Sequence, residues 1–144
     1  EKVPFRKQPT NKWESTDTVI EAALGAAYAY AQLEQQDKAA ELLRQIDAML
    51  AEKMKGKTRI HPDTWYRKAL LLAIEGDQQM ALVNLQRAVD EGWSQHWRPF
   101  VEPSLAEMLQ NDIFKSMMAG LQARMNLMRE QLAFEESFRD SWRG

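Results

Sequence analysis

Apolar positions in this chain recur every three to four residues, and no stretch alternates with period two, so the elements it predicts are helices. Ile20, Ala23, Leu24, Ala27, Tyr30 and Ala31 mark the face of a first helix, with Thr18 and Glu21 spaced as a capping box at its start. The pattern breaks at Glu34-Gln35-Gln36. Asp37 is then placed to cap a second helix bearing Ala39, Leu42, Leu43, Ile46, Met49 and Leu50, ending near Gly56. A polar, basic connection runs from Lys55 to Pro62. Asp63 is read as the cap of a third helix, with Trp65, Ala69, Leu72 and Ala73 on one face. Gly76-Asp77 is a compact stop and restart, and the fourth helix carries Ala81, Leu82, Leu85, Ala88 and Val89 before Gly92 closes it. An aromatic connection from Trp93 to Phe100 follows. Pro103 and Ser104 open a short fifth helix with Leu105, Met108 and Leu109. Asn111 or Asp112 caps a long final helix expected over about 112–140, with Trp142 in a frayed end. Residues 1–16, with Pro4, Pro9 and Asn11, lack a helical period and read as an extended arm that Phe5 and Trp13 could pin to the body. Residues 17–144 read as one helical domain.

Sliding the chain by 42 residues superposes two helix pairs. Ala27 falls on Ala69, Tyr30 on Leu72, Ala39 on Ala81, Leu43 on Leu85 and Ile46 on Ala88. The turns near Glu34 and Gly76 coincide as well. Two antiparallel helices approach closely where small side chains meet, which is the part given to Ala27 with Ala39 and Ala69 with Ala81. Trp65, Ala69, Leu72, Gly76-Asp77, Ala81, Leu85 and Ala88 resemble the tetratricopeptide (TPR) repeat. The first unit is a weaker match, since Ala23 and Glu34 replace the family's Trp and Gly, and the proline expected after the second helix is displaced to Pro62. The resemblance covers roughly residues 18–92. It implies an all-α, TPR-like solenoid of two helix hairpins, with a degenerate third hairpin and a long C-terminal capping helix.

In that family the first helix of each pair lines a concave surface. Carried over residue by residue, this gives Leu24, Tyr28, Tyr66, Leu70 and Ile74 as an apolar groove for a partner helix or peptide. The alternative is that the chain's own final helices fill it. The positions matching the Lys/Asn carboxylate clamp of one repeat subfamily are mostly apolar or acidic here, so that clamp is not expected. The segment Ala88-Val89-Asp90-Glu91-Gly92-Trp93, followed by Pro103-Ser104-Leu105 and Asn111-Asp112-Ile113-Phe114, resembles the closing part of repeat regions in bacterial transcriptional regulators. Such regulators carry a winged-helix or cyclase domain elsewhere. Together with a start that lacks an initiator Met, this resemblance leads us to expect a fragment of a longer regulatory protein.

The final helix adds a second candidate. Phe114, Met118, Leu121, Met125, Met128 and Leu132 alternate by four and three, a heptad seam. Either the helix caps the last repeat, or Leu121, Met125, Met128 and Leu132 form a homodimer seam. In that second case the chain is a dimerisation or spacer domain with no external ligand.

Composition narrows the chemistry. Of the 144 residues 44% are apolar and 28% charged, and the net charge is −2, so no basic excess is available for general nucleic-acid binding. There is no cysteine, which removes disulfides and thiolate metal sites and leaves the compartment open between cytoplasm and periplasm. No apolar run is long enough to span a membrane. His61 and His96 stand in separate loops. Phosphate-binding glycine loops and nucleophile motifs are absent. Catalysis, cofactors and metals are therefore not expected, and the cluster Trp93, His96, Trp97 and Phe100 reads as a loop folded over a core.

Overall fold

The computed structural model describes residues 16–143. The arm expected over residues 1–16, with Phe5 and Trp13, lies outside them except for Thr16, which already belongs to the first helix. Every element among the described residues is helical. These are α1 (Thr16–Gln32), α2 (Gln36–Met54), α3 (Pro62–Glu75), α4 (Gln78–Asp90) and α5 (Asp112–Trp142), with 3-10 segments at Arg98–Phe100 and Pro103–Gln110.

Local chemistry sets the helix ends. At the Gly76-Asp77 restart, Asp77 caps α4, its Oδ1 accepting from the Met80 N–H at 3.1 Å. Asn111 caps α5 by accepting from both Ile113 and Phe114. Four expectations shift. α1 begins at Thr16, so Thr18 lies inside the helix and the Thr18–Glu21 capping box does not form. Gln35 rather than Asp37 sits at the start of α2, and Asp37 falls in its first turn. The cap of α3 is His61, not Asp63. Pro62 supplies a first helical position with φ already fixed, and the His61 ring nitrogen accepts from the Asp63 N–H. The expected fifth helix over 103–110 is 3-10 rather than α.

α1 packs on α2 and α3 on α4, each pair joined by a turn of two or three residues, and α3 lies against both α1 and α2. The two turns share one construction. At the first, the Gln35 N–H donates to Tyr30 O and the Glu34 N–H to Ala31 O. At the second, the Asp77 N–H donates to Leu72 O and the Gly76 N–H to Ala73 O. Both need a left-handed residue, and they use Glu34 (φ 59°) and Gly76 (φ 89°).

Ala27, Ala39, Ala69 and Ala81 are all buried. One apolar cluster runs from Ile20 and Leu24 through Ile46, Leu50, Tyr66 and Leu85 to Trp93, Leu105, Phe114 and Leu121. α5 joins this core with its first three turns, through Phe114, Met117, Met118 and Leu121. Among the described residues from Ala123 onward, only Met125 is even half-buried.

Candidate interaction surfaces

The apolar groove read from the sequence is not open. Leu24, Tyr66 and Leu70 are buried, and Tyr28 and Ile74 are half-buried. The chain covers α3 with its own loop. Trp93 stacks on Tyr66 with ring centroids 4.6 Å apart and planes 11° from parallel. The Arg98 guanidinium lies 4.8 Å from the centroid of the Tyr66 ring. The aromatic connection therefore divides. Trp93 and Pro99 enter the core, while Trp97 and Phe100 stay exposed and His96 is half-buried.

Arg98 also joins this loop to a polar network that sequence reading missed. The Glu21 carboxylate accepts from Arg67 Nε at 2.9 Å and from Arg98 at 2.5 Å, and Arg98 also reaches Glu102 at 3.3 Å. Arg67 is 3.3 Å from Asp17, which pairs with Lys53. Burial alone would raise the Asp17 carboxyl, but the Lys53 hydrogen bond and the charges of Arg67 and Lys53 outweigh it and hold the group below its ordinary value. Burial would likewise lower Arg98, and Glu21 reverses that. The Tyr66 phenol is pushed far up by burial, and the Glu102 charge adds to this. These groups neutralise one another and tie α1, α2, α3 and the loop together. They present no nucleophile beside a base. Among the described residues no group of three or more His, Asp or Glu side chains is arranged to hold a metal.

The expected seam on α5 is split. Leu121 lies in the chain's own core and cannot serve a partner, because its face of the helix is where α5 meets the body. Met125 is half-buried, and Met128 and Leu132 are exposed. The larger exposed surface is elsewhere. Phe134, Phe138 and Trp142 are 72%, 57% and 78% exposed. They follow one another at four-residue spacing with centroids 6.5 and 6.1 Å apart. Leu127, 61% exposed, continues this ladder toward the body. At 100° per residue the ladder lies about a quarter-turn or more from the Leu121–Leu132 line. Its signal in the sequence is the i, i+4, i+8 aromatic spacing, which ends at Trp142, a residue expected in a frayed end.

Nearer the body, the same face of α5 borders a groove of about 570 Å³ against α4. Gln86 and Val89 line one wall, and Ile113, Met117, Gly120 and Arg124 the other. No helix among the described residues is long and apolar enough to cross a membrane. No protein-family model matches the chain, and no curated protein or solved structure is detectably similar to it.

Proposed function

We propose that this chain is a non-catalytic polypeptide-binding module, built on TPR-like helix hairpins, that recruits its partner through the outer half of α5. Two features support the hairpin kinship. The turns at Glu34 and Gly76 have the same hydrogen-bond pattern at positions related by the 42-residue shift, and each hairpin buries its pair of alanines. The observation that carries the binding role is the ladder Phe134, Phe138 and Trp142, held in water on a helix that continues about 30 Å past its last contact with the core. In this reading the hairpins are a platform, and the bacterial-regulator resemblance supplies a setting in which such a platform links an output domain to another polypeptide.

The test compares the chain with a Phe134→Ser/Phe138→Ser variant in capture of polypeptide partners, self-association included. Both positions are exposed, so the variant keeps the body's fold, which circular dichroism checks. Equal capture by the two proteins sinks the reading.

A further inference from the structure

Building on that reading of the α5 ladder, we infer that its occupant is a second copy of this chain, joined antiparallel. The ladder of each copy lies along the α4/α5 groove of the other.

The argument begins with one face of one helix. Ile113, Met117, Gly120, Arg124, Leu127, Gln131, Phe134 and Phe138 are spaced by four and three without a break, so they share a side of α5 over its whole length. This side carries the groove at one end and the exposed aromatics at the other. A surface with a recess at one end and projections at the other complements itself after a two-fold rotation.

Sizes agree. In an antiparallel register that sets Phe138 opposite the second copy's Gly120, Phe134 falls opposite Arg124 and Gln131 opposite Leu127. Gly120 has open space where a Cβ would stand, so a phenyl ring can settle there. At their exposures the three aromatics alone present about 400 Å². Leu127, Ile113 and the groove walls bring the face to the range of about 800 Å² per partner that a standard interface buries.

Charge selects the direction. In this register Arg124 meets Glu135 of the other copy, twice by symmetry, and can also lie over the Phe134 ring. Glu130 of the two copies, the nearest like-charged pair, lies about a fifth of a turn off the seam, in solvent. A parallel pairing would instead set Arg124 against Arg124 in the seam and Glu130 against Glu135 on its flanks. It would also leave Gly120 facing Gly120 across a gap.

The chain has no cysteine, so engineered thiols report cleanly. Gly120 and Phe138 are about 27 Å apart along one helix, too far for a disulfide within a chain. A Gly120→Cys/Phe138→Cys protein is expected to oxidise to a linked dimer, and Phe138→Cys alone is not. Sedimentation should give a dimer for the unmodified chain at micromolar concentration. The Phe134→Ser/Phe138→Ser variant should need at least a hundredfold higher concentration to associate. A chain that stays monomeric at about 100 μM overturns the proposal. So does Phe138→Cys linking as readily as the double-cysteine protein, which is the parallel outcome. A monomer whose ladder still captures another polypeptide removes the second copy and leaves the binding module standing. A monomer that captures nothing through the ladder removes both.

Discussion

Glu34 does with a carboxylate side chain what Gly76 does with none. Both are left-handed, and a residue with a Cβ held there costs about 1–2 kcal/mol. Glu34→Gly should therefore raise stability by about 0.5–1 kcal/mol once glycine's freer unfolded chain is subtracted, measured as a shift in urea midpoint. Asp17 gives a second residue-level expectation. Its folded pKa lies below the ordinary 3.8, so its contribution is present above that value and lost as the pH falls through the lower folded one. The stability gap between the native chain and Asp17→Asn should be full at pH 6 and shrink as the pH falls below about 4. Added salt should narrow it as well, since Asp17 is partly exposed. Neither feature was visible beforehand. A positive φ at Glu34 follows from the turn, and Asp17's partners Lys53 and Arg67 lie 36 and 50 residues away in the chain.

α5 is one helix with two environments. Leu121→Ala should cost about 2–5 kcal/mol, because that side chain is buried against the body. Compared at a concentration too low for copies to associate, ending the chain after Ala123 should leave the body's melting temperature within a few degrees, since almost nothing beyond that point packs on it. A circular-dichroism melt on both proteins separates the two effects. Element types and several ends were legible in the sequence because they rest on local rules. Asp77 and Asn111 cap where a short polar side chain precedes an apolar period. The misses, Thr18, Asp37 and Asp63, share a cause: more than one residue could start the helix, and neighbours such as Pro62 decided. The heptad spacing of Phe114 to Leu132 was also legible. Which of its members meet the body was not, because that depends on where the other elements end.

For the whole molecule, the paired hairpins were readable because alanine spacing and turns repeat within the sequence itself. The state of the groove was not, since it turns on a loop folding back across the chain to stack Trp93 on Tyr66 under Arg98. Leu24, Tyr66 and Leu70 thus belong to the core, and their loss should act on folding before binding. Leu70→Ala is expected to lower stability by about 2–5 kcal/mol in a denaturant titration, and partner capture should survive where the variant remains folded.

The stacked indole of Trp93 and the bare one of Trp142 make the chain its own optical probe. The first is shielded and should emit in the blue regardless of company. The second, at the far tip of α5, should emit like indole in water until something covers it. With the remaining tryptophans replaced by phenylalanine, a blue shift on concentrating the protein would read burial of that tip directly.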